Sequence, residues 1–180
     1  MRKPAARQPR PRPSVPDPRQ HLLRAVLTFV RAARSAPGVH RIALLGSLAT
    51  AEPIPKDADV LVTIDADIDL SSLARISRRL KGTAQKINLG ADIFLADETG
   101  RYLGRICHYR ECHARVACRA LNCGQRQHLN DDLQIVTLGS ALIAAPPADL
   151  WPRIINRCAV PGDTETLLLA ELAKDEVLGN

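Results

Sequence analysis

Apolar residues recur at intervals of three and four positions in three stretches of the chain. This spacing places them on one side of an amphipathic helix. It predicts helices over residues 18–36, 70–81 and 164–178. The last helix is expected to bury Leu168, Leu169, Leu172 and Val177. Residues that favour helix ends flank the three stretches: Asp17, Asp69 and Asp163 before their starts, Pro37 and Gly38 after the first, and Gly82 after the second.

Short apolar and β-branched runs bounded by turn-forming residues predict strands. They cover residues 41–45, 59–64, 92–95 and 133–138, and a hairpin turn over 97–100 returns through 102–106. Residues 149–157 are predicted to form a short helix. A chain of 180 residues with these elements fits one α/β (α+β) domain, a small mixed sheet with helices packed on one face.

Positive charge is concentrated in two segments. The net charge is +6, but residues 1–20 and residues 101–128 each carry +5, which leaves −4 on the rest. Residues 1–16 combine arginine and proline with little apolar surface, and this predicts a disordered tail before a domain over residues 17–180. Both basic segments could attract nucleic acid, and the alternative is a solvated tail and a solvated loop.

No apolar run approaches the ~18 residues of a membrane-spanning helix. The basic N-terminus is not followed by the apolar segment of a secretory signal. We therefore expect a cytoplasmic protein without a membrane partner.

Three carboxylates stand at the starts of predicted strands. Asp57 and Asp59 are two positions apart, so in an extended chain both side chains point to the same face, roughly 7 Å apart. Such neighbours repel each other unless a divalent cation lies between them, and Asp92 could add a third oxygen ligand. A second acidic alternation is interpreted as a solvated turn that leads into the next helix: Asp65, Asp67 and Asp69.

The order of these residues resembles the polymerase β-like nucleotidyltransferase superfamily, in particular its minimal nucleotidyltransferases. The signature of that superfamily is an apolar residue with Gly-Ser, a loop, an Asp-x-Asp pair followed by apolar residues, and a third Asp on a later strand. Here Leu45-Gly46-Ser47, nine intervening residues and Asp57-Ala58-Asp59-Val60 fit this signature. Asp92 is the candidate for the third position.

The resemblance implies a nucleotidyltransferase-like fold that transfers a nucleoside monophosphate from a nucleoside triphosphate to a protein, RNA or small-molecule acceptor. Asp57 and Asp59 would hold Mg²⁺ and through it the triphosphate, and Asp92 would complete the acceptor-side metal. Gly46 would let the backbone approach the phosphates, and Ser47 would donate a hydrogen bond to them. Many relatives continue Gly-Ser with an Ala-Arg-Gly-like turn, and this chain has Leu48-Ala49-Thr50 there.

Each of these residues also has an ordinary structural explanation. Asp57 could be a turn residue at the entry of a strand, Asp59 a solvated edge residue, and Asp92 part of a turn after Gly90. A rival function is a non-catalytic nucleic-acid-binding protein, which would keep this scaffold and hold nucleic acid through its basic tail and a zinc-held basic loop.

Four cysteines lie within 17 residues, in the spacing C-x₄-C-x₅-C-x₄-C: Cys107, Cys112, Cys118 and Cys123. In a cytosolic chain such clusters favour metal over disulfides, and four thiolates satisfy tetrahedral coordination of a structural Zn²⁺. Reduced thiols and a disulfide pair are the alternatives. Cys158 stands apart and is predicted to be a buried apolar thiol.

Overall fold

A computed structural model of the protein describes residues 17–107, 126–130 and 136–178. Its helices are α1 (Pro18–Ala33), α2 (Ser71–Gln85), α3 (Ser140–Ala144), α4 (Gly162–Thr164) and α5 (Ala170–Leu178), with a 3₁₀ turn at Gly46–Ala49 and a π-helical turn at Glu165–Leu169. Its strands are β1 (Val39–Leu45), β2 (Asp57–Ile64), β3 (Gly90–Asp97), β4 (Tyr102–Ile106), β5 (Leu129–Asn130), β6 (Ala148–Trp151) and β7 (Ile155–Asn156). Together, α4, the π-helical turn and α5 are called the C-terminal helix.

The seven described strands form one mixed sheet in the order β5-β4-β3-β2-β1-β6-β7. Strands β2 and β3 are parallel, and every other neighbouring pair is antiparallel. Parallel neighbours need a crossover connection, which here contains helix α2. The mixed α/β architecture predicted from the sequence is therefore confirmed.

The two faces of the sheet are covered differently. Alternate strand residues such as Ile42, Val60 and Ile93 belong to the main core together with apolar residues of α1, α2 and the C-terminal helix. Strand residues of the opposite parity, such as Leu61 and Phe94, form a smaller cluster with a residue of α3. This second face is called the open face. The expectation that helices pack on one face is wrong for α3.

Helix α1 begins as the sequence predicts. Asp17 is its N-cap, and its carboxylate accepts a hydrogen bond from the Arg19 amide at 3.0 Å. The helix ends at Ala33 rather than at residue 36. Beyond it the chain forms a turn in which the Ala36 amide donates to the Ala33 carbonyl at 3.0 Å, and Pro37 disfavours a helical conformation at Ala36.

Helix α2 continues through Gly82, so the prediction that this glycine ends the helix is wrong. Leu80 and Ala84 are buried on either side of it, and their packing offsets the low helix propensity of glycine. Leu70 and not Asp69 occupies the N-cap position, and Asp69, one residue earlier, accepts a hydrogen bond from the Ser71 amide at 2.9 Å.

Residues 149–157 contribute to strands β6 and β7 and not to the predicted helix. Strand β6 pairs with β1, whose outer edge needs hydrogen-bond partners for its backbone. Residues 136–138 lie in no helix or strand, so the predicted strand over 133–138 is wrong there. Residues 133–135 lie outside the described part of the chain, as does the predicted tail over residues 1–16.

The C-terminal helix buries three of its four predicted core residues: Leu168, Leu169 and Leu172. Val177 is 79% exposed, which corrects the prediction. Five positions after Leu172, a helix has turned about 140° away from the buried side.

Pro161 occupies the N-cap position of the C-terminal helix, so Asp163 lies within the first turn. Cys158 is exposed and not buried, because it follows the outermost strand of the sheet.

Candidate functional site

Three carboxylates meet on the open face of the sheet. Asp59 and Asp92 are partners in the parallel ladder of β2 and β3, and Asp57 is the partner of Gly90. Strand residues two positions apart share a face, so all three lie on the side of Leu61 and Phe94. One oxygen of each carboxylate lies within 4.8 Å of the others. The structure thus brings the three predicted residues together, and they are called the carboxylate cluster.

The carboxyl group of Asp59 has a raised pKa. Burial raises its pKa, and the charges of Asp57 and Asp92 raise it further, to about 6, although Arg105 acts in the opposite direction. Burial and like charges both disfavour an ionised carboxyl group. The cluster therefore holds an excess of negative charge that a bound cation would relieve.

Two cationic side chains border the cluster on the side of Asp92. Arg105 on β4 places Nη1 3.2 Å from Asp92 Oδ2. Lys81 on α2 places Nζ 3.9 Å from Asp92 Oδ1. These two ion pairs offset negative charge at Asp92, so the site is acidic around Asp59 and mixed in charge at the edge formed by β4 and α2.

Gly46 lies directly against the carboxylate of Asp59. The residue before it, Leu45, is paired with Asp59 across β1 and β2. Gly46 has a φ of 62°, and a Cβ atom at this position would stand 2.2 Å from Asp59 Oδ2. Only glycine fits here, both because of the left-handed backbone and because of the contact. The main chain at Gly46 therefore lies next to the carboxylate cluster with no side chain between them. Ser47 is the next residue of the same 3₁₀ turn.

Arg19 reaches this turn from helix α1, and the site predicted from the sequence did not include it. Its guanidinium donates hydrogen bonds to the backbone carbonyls of Ser47, Leu48 and Glu52. A signal was present in the sequence. Arg19 stands three and four positions before Leu22 and Leu23, so it lies on the buried side of the helix.

The chemistry of the carboxylate cluster fits Mg²⁺ or a similar hard cation. Such ions prefer oxygen ligands and are commonly held by one or two carboxylates together with substrate phosphates. Two oxygens bound to one Mg²⁺ are about 3–4 Å apart, which small side-chain rotations from the observed spacing would reach. Asp57, Asp59 and Asp92 are therefore able to hold such an ion, and Gly46 adds no side chain next to Asp59.

The second acidic alternation does not converge in this way. Asp67 is exposed, and Asp69 accepts a hydrogen bond from the Ser71 amide at the start of helix α2. Asp65 accepts a hydrogen bond from His40, and ligand atoms of these two residues and Glu98 lie within 4.8 Å of one another. His40 and Glu98 are exposed. The predicted solvated turn is therefore confirmed at Asp67, while Asp65 belongs to a surface ion cluster.

One of the four clustered cysteines lies in the described part of the chain. Cys107 follows β4 and is buried, and its amide donates a hydrogen bond to the His128 carbonyl at 2.7 Å. The predicted zinc ligands Cys112, Cys118 and Cys123 lie outside the described residues. The zinc site remains a prediction.

Among the described residues, no helix is long and apolar enough to cross a membrane. No curated protein and no solved structure gives a significant match to this sequence. A family model described as "Family of unknown function (DUF6932)" matches residues 9–130. This match covers more than half of the chain and includes the whole carboxylate cluster and the Gly46 turn. The chain therefore belongs to the DUF6932 family.

Proposed function

We propose that this protein is a metal-dependent nucleotidyltransferase, which moves a nucleoside monophosphate from a nucleoside triphosphate to an acceptor. The observation that carries the proposal is the convergence of Asp57, Asp59 and Asp92 beside the turn at Gly46. These residues follow the order of the motifs in the nucleotidyltransferases that the sequence resembles. A nucleotidyltransferase-like fold for the central strands is part of the proposal.

In this proposal the carboxylate cluster holds the metal and the turn holds the triphosphate. In the reaction the acceptor oxygen attacks the α-phosphorus of the triphosphate, and the bond to the bridging oxygen breaks so that pyrophosphate leaves. Divalent ions, when bound, would neutralise charge on the attacking and leaving oxygens. Asp57 and Asp59 would bind the ion that carries the triphosphate, and Asp92 would bind on the acceptor side and accept the proton of the acceptor group. The backbone at Gly46 would approach the phosphates closely, and the Ser47 hydroxyl would donate to a phosphate oxygen.

The cations next to Asp92 support an anionic substrate. Arg105 and Lys81 both lie within 4 Å of that carboxylate. A triphosphate brings several negative charges to a cluster that is already acidic, and positive charge at its border lowers this repulsion. Transfer of this kind depends on positioning and charge stabilisation more than on covalent chemistry by the protein.

The direct test is a labelling screen. The purified protein is incubated with Mg²⁺, cell lysate and each of the four common ribonucleoside triphosphates labelled at the α-phosphate. We expect label from one of them to become attached to a lysate component. Asp59→Ala should abolish the transfer, while Asp67→Asn, which changes an exposed carboxylate outside the cluster, should retain it.

The same variants separate the proposal from the rival function. A nucleic-acid-binding protein would transfer no label, and its affinity for nucleic acid would not depend on Asp59. Absence of transfer from all four nucleotides, combined with nucleic-acid binding that Asp59→Ala leaves intact, would favour the rival.

A further inference from the structure

Arg19 is buried although it carries a full positive charge. Its side chain is only 9% exposed. Nε donates to Asp163 Oδ2 at 2.7 Å, Nη1 to the carbonyls of Ser47 and Glu52 at 2.9 and 3.0 Å, and Nη2 to the Leu48 carbonyl and Thr164 Oγ1 at 3.0 and 2.9 Å. These five hydrogen bonds match the five N–H groups of a guanidinium. A buried charge is tolerated when it is paired and hydrogen-bonded in this way.

Three of the five bonds end on one loop. The carbonyls belong to the segment 47–52, which begins immediately after Gly46 and is part of the connection from β1 to β2. Thr164 adds a further bond to the same loop, because its Oγ1 also donates to the Leu48 carbonyl at 2.8 Å. The loop is thus fixed from outside by two helices that are distant in sequence, α1 and the C-terminal helix.

We propose that Arg19, Asp163 and Thr164 are positioning residues for triphosphate binding, and we call them the loop clamp. This inference rests on the proposed function. Gly46 and Ser47 can meet phosphate oxygens only if the turn keeps its place beside Asp59, and the clamp holds the carbonyls that follow them. The rigid fork of arginine suits this role, since it supplies five donors in one plane, whereas a lysine ammonium has three donors on a flexible stem.

A second ion pair between the same two helices provides the matched comparison. Arg31 on α1 bonds Asp175 on α5 through Nε and Nη2, at 2.8 and 2.9 Å. It lies twelve residues after Arg19, about 18 Å along the helix. Both arginines therefore join α1 to the C-terminal helix, but of the two, within the described part of the chain, Arg19 is the one that donates hydrogen bonds to the loop. A substitution at Arg31 tests the loss of helix pairing without the loss of the clamp.

The experiment compares Arg19→Lys with Arg31→Lys in the full chain. Three quantities are measured for each variant: the affinity for Mn²⁺ alone, the affinity for the four ribonucleoside triphosphates in the presence of Mg²⁺, and the melting temperature. We expect Arg19→Lys to weaken triphosphate binding roughly ten- to hundredfold, because the loss of charge-assisted hydrogen bonds to the loop carbonyls lets the turn leave its place beside Asp59. Its affinity for Mn²⁺ alone should change by less than about threefold, since the carboxylate cluster lies on strands. Arg31→Lys should leave both affinities unchanged.

Thr164→Val serves as a second variant in case Arg19→Lys does not fold. It removes the buried hydroxyl that accepts from Arg19 Nη2 and donates to the Leu48 carbonyl, and it leaves the guanidinium in place. Triphosphate binding should weaken by several-fold, and the melting temperature should fall by a few degrees because a buried N–H group of Arg19 loses its partner. Wild-type triphosphate affinity in whichever of the two clamp variants folds would overturn the inference and leave the proposed function standing. Equal weakening by Arg31→Lys would overturn it as well, because the effect would then come from helix pairing. If the wild-type protein binds none of the triphosphates, the proposed function and the inference both fail.

Discussion

Asp59 and Asp92 stand opposite each other in the parallel ladder of β2 and β3. This single register brings a carboxylate from each strand to the same face, and Asp57 joins them from two positions earlier on β2. The pairing places negative charges close together, and such a cluster costs stability in the absence of a cation. A site of this kind stabilises a bound ion at the expense of the metal-free fold.

The first prediction concerns that cost. Asp59→Asn removes a half-buried charge and relieves its repulsion with Asp57 and Asp92, so the metal-free variant should be more stable than the metal-free wild type by about 1 kcal/mol. Mg²⁺ or Mn²⁺ should raise the melting temperature of the wild type, because the ion binds the folded state, and should not raise that of the variant. The measurement is thermal unfolding with and without each metal. Asp67→Asn is the control and should respond to metal like the wild type; equal metal stabilisation of Asp59→Asn would contradict the proposed ligand set.

The second prediction compares two glycines. Gly46→Ala introduces a Cβ atom 2.2 Å from Asp59 Oδ2 at a residue with a φ of 62°, so it should destabilise the protein by about 2–4 kcal/mol. Gly82→Ala lies within α2 with nothing within 4 Å of the added atom, and it should stabilise the protein by about 0.5–1 kcal/mol. Denaturant unfolding measures both. Similar effects of the two substitutions would show that the turn does not press against Asp59.

The third prediction concerns acid stability and Asp97 at the end of β3. Its carboxylate accepts hydrogen bonds from the Thr99 hydroxyl and from the amides of Thr99 and Arg101. The bonds from the Thr99 hydroxyl and from the amide and guanidinium of Arg101 lower its pKa to about 2, against the opposing effect of burial. A carboxyl group in an unfolded chain has a pKa of about 3.9. The folded-state pKa is the lower one, so the stabilisation is present above pH ~4 and is lost as the pH falls towards 2.

Asp97→Asn should therefore reduce the free energy of unfolding by roughly 1–2 kcal/mol at pH 7, and this difference should shrink as the pH falls from 4 to 2. The expected loss is smaller than the pKa difference alone implies, because the Arg101 side chain is 71% exposed and solvent screens its charge. Chemical unfolding of the wild type and the variant at several pH values measures the difference. A difference that stays constant between pH 7 and pH 2 would show that the carboxylate charge is not the cause.

The fourth prediction concerns the cysteine cluster. If Cys107, Cys112, Cys118 and Cys123 bind structural zinc, protein purified without chelator should contain about one zinc per chain. Cys118→Ser should lose most of it, because a structural site needs all four ligands. Cys158→Ser, which changes an exposed cysteine outside the cluster, should retain it. Elemental analysis measures the zinc content, and fewer than about 0.2 zinc ions per chain in the wild type would refute the site.

The course of the chain through α1, α2 and the first four strands was predictable from the sequence, because apolar periods of two and of three to four follow from local backbone geometry. The same local rule placed Asp57 and Asp59 on one face. Predictions failed where distant contacts overrule local preference. Strand β6 forms because β1 needs a partner, and α2 passes Gly82 because Ala84 packs in the core.

The tertiary structure alone decided which distant residues meet. The register of β2 with β3 puts Asp92 opposite Asp59, and the packing of α1 and the C-terminal helix brings Arg19 and Thr164 to the loop after Gly46. The sequence shows which residues can carry charge, be buried or adopt the backbone conformation of a tight turn. Their partners depend on hydrogen bonds and burial that exist only once the chain has folded, and no local pattern records the free energy of contacts between residues so far apart.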